Sequence, residues 1–164
     1  MKRFTGSIAT LVLLFGLLGA ANSAQAADQF LTFNTISYHF KNTNERNNVT
    51  PGIGWEYSPT KKLGFHVGTV RDSFNFQAKY AGINWATPRY QFLGGRIRFI
   101  LGLTVLHKQF RPNAEPETKV VPLPVIEFKL SKRFVLNVSG SPEIDFQGQK
   151  NNAVVLFQGK LNLF

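Results

Sequence analysis

The chain has 164 residues, 43% of them apolar, 17% charged and 13% aromatic, with 16 Phe and no Cys. That is one domain's length, too apolar and too weakly charged for a disordered chain. The lack of Cys excludes a disulfide framework, thiol catalysis, zinc knuckles and iron–sulfur clusters. The formal charge of +10 points to anionic partners, either nucleic acid or an anionic membrane surface.

The first segment reads as an export signal. Lys2 and Arg3 form a basic start, Leu11 to Leu18 an apolar core, and Ala24-Gln25-Ala26 a small-x-small cleavage site. Residues 1–26 are therefore expected to be a signal peptide cleaved after Ala26, and 27–164 a single barrel domain. An exported protein rarely meets nucleic acid, so the basic balance points instead to anionic lipid or saccharide.

The chain beyond Ala26 alternates with period 2 and shows no stripe of period 3.6. In Ile36-Ser37-Tyr38-His39-Phe40 the apolar set is Ile36, Tyr38 and Phe40. Next come Ile53, Trp55 and Tyr57. Then Ile97, Phe99, Leu101, Leu103 and Val105 alternate with Arg96, Arg98, Ile100, Gly102 and Thr104. Near the end Val155, Phe157, Leu161 and Leu163 alternate with Gln158, Lys160 and Asn162. Counting back in twos from the terminal Phe164 falls one residue out of step with that apolar set.

The pattern predicts strands near 30–41, 48–58, 62–72, 79–88, 92–106, 118–130, 133–142 and 152–164. Connections at Pro59-Thr60-Lys61, Arg89-Tyr90-Gln91 and Ser131-Lys132 are short. Those at Asn42 to Asn47, His107 to Glu117 and Glu143 to Asn151 are longer and polar. Short turns on one side and long loops on the other are the plan of an eight-stranded antiparallel up-and-down transmembrane β-barrel. A soluble sandwich alternates too, with its apolar face inward.

Odd strands of such a barrel run the same way. His39, closing the first, and Asp72 and Ser73, closing the third, then share the outer rim. Parity groups His39 with Thr35 and Ser37, facing the lumen. An imidazole, a hydroxyl and a carboxylate on one rim can perform acyl chemistry, and they can equally be a hydrogen-bonded lumen His beside an Asp-Ser turn. His66 and His107 have no partner at metal-ligand spacing. Gly52/Gly54 and Gly94/Gly95 fit no phosphate-binding fingerprint and read as relief of crowding or bends. No metal and no cofactor are expected. Pro51, Pro122, Pro124 and Pro142 remove donors from strands, which either marks strand ends or leaves gaps through which a lipid chain enters sideways. Lys41, Arg46, Arg71, Lys79, Lys108 and Arg111 form a basic outer rim, either ordinary loop charge or a surface for lipid phosphates.

Several stretches, in order, resemble the outer-membrane lipid A palmitoyltransferases, the PagP-type barrels. They are Ile36-Ser37-Tyr38-His39, Arg71-Asp72-Ser73-Phe74-Asn75, Ala81-Gly82-Ile83-Asn84-Trp85, Val121-Pro122-Leu123-Pro124-Val125, and Pro142 with the stretch Asn152 to Phe164. The resemblance implies transfer of a fatty acyl chain, palmitoyl in the family, from a phospholipid to lipid A in the outer membrane by a monomer. It implies His39, Asp72 and Ser73 as catalytic residues, the four prolines as flanks of lateral lipid openings, and Gly82 and Asn84 as lining of the acyl pocket. Asn84 stands where the family carries a Gly. If it points inward it shortens or polarises the pocket. Two other readings stay open on the same barrel: an acyl hydrolase with water as acceptor, and a non-catalytic lipid-binding or structural barrel.

Overall fold

The computed structural model describes residues 27–41, 46–141, 144–146, 149–151 and 153–164. The proposed signal peptide and Pro142 lie outside them. The strands are β1 (Asp28–His39), β2 (Val49–Ser58), β3 (Leu63–Arg71), β4 (Gln77–Ala86), β5 (Tyr90–Phe92), β6 (Gly95–Lys108), β7 (Glu117–Lys129), β8 (Phe134–Ser141), β9 (Ile144–Phe146), β10 (Gln149–Asn151) and β11 (Val154–Asn162). Eight of them close into an antiparallel ring, β1-β2-β3-β4-β6-β7-β8-β11, with β11 returning to β1.

Two short pairs decorate the ring, where the sequence pattern shows only plain connections. Tyr90–Phe92 pairs with Gly95–Ile97, so the fourth connection turns at Leu93-Gly94 rather than at Arg89-Tyr90-Gln91. Both turn residues have positive φ, 47° at Leu93 and 78° at Gly94. Two successive residues with positive φ match the twist of a two-residue hairpin, which is why Gly94 is a turn glycine and not a bend within a strand. The last long connection carries the β9–β10 hairpin.

The apolar face points outward. Ile36, Tyr38, Phe40, Ile53, Ile83, Trp85, Phe99, Leu101, Leu103 and Val105 are all about half exposed on the outside of the wall. The buried set is mostly polar: Thr32, Ser37, His39, Thr50, Glu56, Arg98, Thr104, Glu127, Asn137 and Lys160. A sandwich would invert this arrangement; a membrane-spanning barrel requires it, because lipid solvates its exterior.

One irregularity aims the candidate site. The pairing of β1 with both neighbours shifts between Asn34 and Ile36. Below this bulge Phe30, Thr32 and Asn34 turn inward; above it Ser37 and His39 do. Thr35 is the extra residue and is exposed, a correction to its grouping with the lumen set. A bulge inserts one residue and so reverses the inward phase.

The turn end of the barrel is closed by charge. Lys160 Nζ lies 2.7 Å from Glu56 Oε1 and 2.9 Å from Glu127 Oε2. Arg98 Nε lies 2.7 Å from Glu127 Oε1, and Arg89 Nη2 2.8 Å from it. Phe30 lies beneath the ammonium, its ring centre 4.3 Å away.

Candidate active site

Asp72 organises the β3–β4 turn. Its Oδ1 accepts from the backbone N–H of Phe74 (2.9 Å) and Phe76 (3.0 Å), and its Oδ2 from Gln109 N–H (3.0 Å) in the β6–β7 loop. The turn closes through Asn75, at φ 66°, whose N–H reaches Asp72 C=O at 3.0 Å. Asn is among the few residues that take this conformation at low cost, and Asp is the side chain best suited to cap the amides just after it in the chain. Asn47 N–H donates to Ser73 C=O at 2.8 Å, so the β1–β2 loop is tied to the same turn.

That turn presents Ser73 to His39. Nε2 of His39 lies 2.7 Å from Ser73 Oγ and 3.4 Å from Ser37 Oγ. His39 is 4% exposed and Ser73 6%. The imidazole and the hydroxyl, 34 residues apart in sequence, meet inside the loop end of the barrel. Asp72 is adjacent in the chain but does not hydrogen-bond to His39 among the described residues. The other side of the ring faces a cation: Arg46 Nη1 lies 3.5 Å from Nδ1, with its guanidinium 5.1 Å from the centre of the Phe74 ring. The arrangement is thus a His–Ser pair with a carboxylate shaping the rim, not a Ser-His-Asp relay.

Beneath the pair lies a cavity of about 200 Å³. Asp72, Ser73 and Lys108 line its outer end, with Val70, Ala78, Leu106, Val121, Leu123, Val125 and Leu156 below them. A polar belt forms its deep end. Asn137 Nδ2 donates to Gln158 Oε1 and Gln158 Nε2 to Asn34 Oδ1, both at 2.9 Å. His66 Nε2 meets Thr104 Oγ1 at 3.0 Å. Asn84 points inward and lines both this cavity and a much smaller one towards the charged floor. Gly82 is inward as well; a Cβ there would fall 2.7 Å from His66 Nε2, so its bareness admits the imidazole. His107, at the rim, pairs with Thr118 Oγ1 at 2.9 Å.

The prolines interrupt ladders to different degrees. Pro122 and Pro124 leave the β6–β7 ladder unbroken from Arg96↔Lys129 to Lys108↔Glu117. Their donor-less nitrogens therefore face β8. On that side the backbone ladder runs from Val125↔Ser139 to Lys129↔Val135 among the described residues, and beyond it Ser139 Oγ donates to Pro124 C=O at 2.9 Å. Among the described residues the β7–β8 backbone ladder thus stops at Val125, beside the apolar part of the cavity. At Pro51 the β1–β2 register jumps from Asn34↔Gly52 to Ile36↔Val49, and the β2–β3 ladder starts only at Gly52↔Val70.

No protein-family profile matches the sequence, and no curated protein matches it. Among solved structures the chain is similar to the N-terminal β-barrel domain of OprF from Pseudomonas aeruginosa. The TM-score is 0.52 and the identity 9%, over 86% of this chain and 100% of that one. The likeness is one of fold: a closed eight-stranded barrel of the outer-membrane type.

Proposed function

We propose that this protein is an outer-membrane acyltransferase that moves a fatty acyl chain, palmitoyl or shorter, from a phospholipid to lipid A, working as a monomer without cofactor. The observation that carries the reading is the 2.7 Å contact of His39 Nε2 with Ser73 Oγ at the head of an interior cavity with apolar walls. The outward apolar face and the outer-membrane type of the fold support the location. The stop of the β7–β8 ladder at Val125 supports sideways entry of an acyl chain.

In this reading a hydroxyl of the acceptor attacks the carbonyl carbon of the phospholipid ester. Its proton passes to His39 Nε2, directly or through Ser73 Oγ. The tetrahedral intermediate breaks its bond to the glycerol oxygen, which leaves with that proton as lysophospholipid. Ser73 and Ser37 hydroxyls lie where they can donate to the developing oxyanion. Asp72 holds the turn that carries Ser73.

A second reading, a non-catalytic lipid-binding barrel, is favoured by one observation: a guanidinium, not a carboxylate, faces His39 Nδ1. Mass spectrometry of lipid A and phospholipids separates the two. Cells expressing the parent protein are compared with cells expressing His39→Ala and Ser73→Ala. An added acyl chain lost in both variants supports transfer. Chains removed, with free fatty acid released, make it the hydrolase. Unchanged lipids with a folded barrel in the outer membrane select the non-catalytic reading.

A further inference from the structure

Lys108, the last residue of β6, is one of two rim cations that line the cavity, the other being the exposed Arg71. Lys108 lines the cavity together with Asp72 and Ser73, whereas Arg111 and Lys119 pair with Glu117 at the start of β7, at 3.4 and 3.2 Å. Asp72 is the carboxylate that acts electrostatically on Lys108, yet the two form no ion pair among the described residues. The reason is geometric. Both Asp72 oxygens are held by the amides of Phe74, Phe76 and Gln109, and turning the carboxylate towards Lys108 would strand those donors. Arg46 acts on Lys108 as a second positive charge from the His39 side. Among the described residues the ammonium meets the face of Phe110, 5.3 Å from the ring centre. A cation that lines a cavity and has no ion partner among the described residues is poised to pair with an anion carried by the occupant.

We propose that Lys108 is the anchor of an anion site at the head of the cavity, and that the anion is the phosphodiester of the donor phospholipid whose acyl chain lies in the barrel. This rests on the acyl-transfer reading for the donor's identity, while the site itself does not depend on turnover. It assigns Lys108 to the donor inside the wall rather than to acceptor phosphates above the rim. Lys108 is then a binding residue, and its loss acts on KM before kcat.

The test uses the folded barrel in dodecyl maltoside micelles. Dodecyl phosphate is titrated into the parent, Lys108→Gln and Lys108→Arg while binding is tracked by calorimetry and by the phosphorus NMR line. Folding of each variant is checked by the heat-dependent shift in gel migration. The expected result is saturable binding to the parent, at least tenfold weaker in Lys108→Gln and largely regained in Lys108→Arg, with dodecanol showing no such dependence. Equal binding of dodecyl phosphate by parent and folded Lys108→Gln overturns the proposal, as does equal weakening for dodecanol. Dodecanoate distinguishes the source: tighter binding of the carboxylate than of the phosphate assigns the site to the released fatty acid and overturns the phosphodiester. Where the parent modifies lipids, a tenfold rise in KM for phospholipid with kcat retained is expected in Lys108→Gln; a loss confined to kcat would make it an oxyanion donor instead. Lipids left unmodified by a parent that still binds dodecyl phosphate through Lys108 would refute the transfer reading and keep the anion site.

Discussion

Replacing Lys160 with Met should be the most damaging conservative change in the barrel. The ammonium is fully shielded, 2.7 Å from Glu56 and 2.9 Å from Glu127. Met keeps nearly the same volume, so the cavity term is small. The electrostatic terms dominate. Glu127 keeps Arg98 and Arg89, but Glu56, itself buried, loses its ion partner. Removing one member of a buried pair costs about 3–5 kcal/mol. The lost contact with the Phe30 ring, 4.3 Å away, is worth about 0.5–2 kcal/mol and falls within that range. A destabilisation of about 4 kcal/mol is expected for Lys160→Met. Adding Glu56→Met removes the stranded charge, so the double variant should regain most of the loss, since an apolar replacement of a buried pair is often neutral. Reversible urea unfolding in lipid vesicles, monitored by the emission of Trp55 and Trp85, measures both. A single variant within about 1 kcal/mol of the parent, or a double variant no better than the single, would show that the ring of charge does not hold the floor.

Three other outcomes are expected at the site. Asn84→Gly should join the main cavity to the small one beneath it and move selectivity towards longer chains by about tenfold per added methylene, read as the mass of the acyl group transferred; unchanged chain length would remove Asn84 as the floor. Asp72→Asn should leave at least one of the three amides it caps, two in the turn and Gln109 in the β6–β7 loop, facing an amide nitrogen, costing about 1–3 kcal/mol. Activity should fall less than in His39→Ala, and a fully inactive variant of parental stability would put Asp72 in the chemistry instead. Leu123→Cys with Ser141→Cys, the next positions along the interrupted β7–β8 ladder, should cross-link the seam and cut lipid conversion, with recovery on reduction. Full activity in the oxidised protein would exclude entry by this route.

The barrel is legible in the sequence because alternation with period 2 survives wherever one face meets lipid and the other a polar interior. The orientation of His39 can be read from the apolar triplet Ile36, Tyr38 and Phe40. The bulge beneath it cannot, because a single inserted residue leaves no compositional mark, and so parity groups Thr35 with the wrong face. The Leu93-Gly94 turn is hidden because the strand pattern reads as starting at Phe92, with Arg89-Tyr90-Gln91 as its connection; the Gly pair is the available signal. The charged floor cannot be assembled from the strand pattern. Glu56, Arg98, Glu127 and Lys160 lie on four strands, and only the register brings them together. Their trace in sequence is a charged residue at each inward position flanked by outward apolar ones, as in Trp55-Glu56-Tyr57. Asp72 is readable as a rim residue, but its hydrogen bond from the Gln109 amide of the β6–β7 loop depends on a contact that passes over β4.

The two ends of the barrel differ in what they permit. At the turn end, passage would require parting Lys160 from two carboxylates and Arg98 from one, each step exposing a buried charge. That closes the axial route and argues against a channel. At the loop end the β7–β8 backbone ladder stops at Val125 among the described residues, because Pro122 and Pro124 face β8 without a hydrogen to donate. A chamber blind at the floor and open at the rim, with its ladder stopped on one flank, must take in and release its occupant on the same side. A flank bordered by outward apolar side chains admits hydrocarbon more readily than water-soluble molecules. His39, Ser73 and Lys108 all stand at that open end, where the headgroup of a lipid with its tail in the chamber would lie. A reaction that exchanges one lipid ester for another fits such a chamber, because every participant enters and leaves through the membrane.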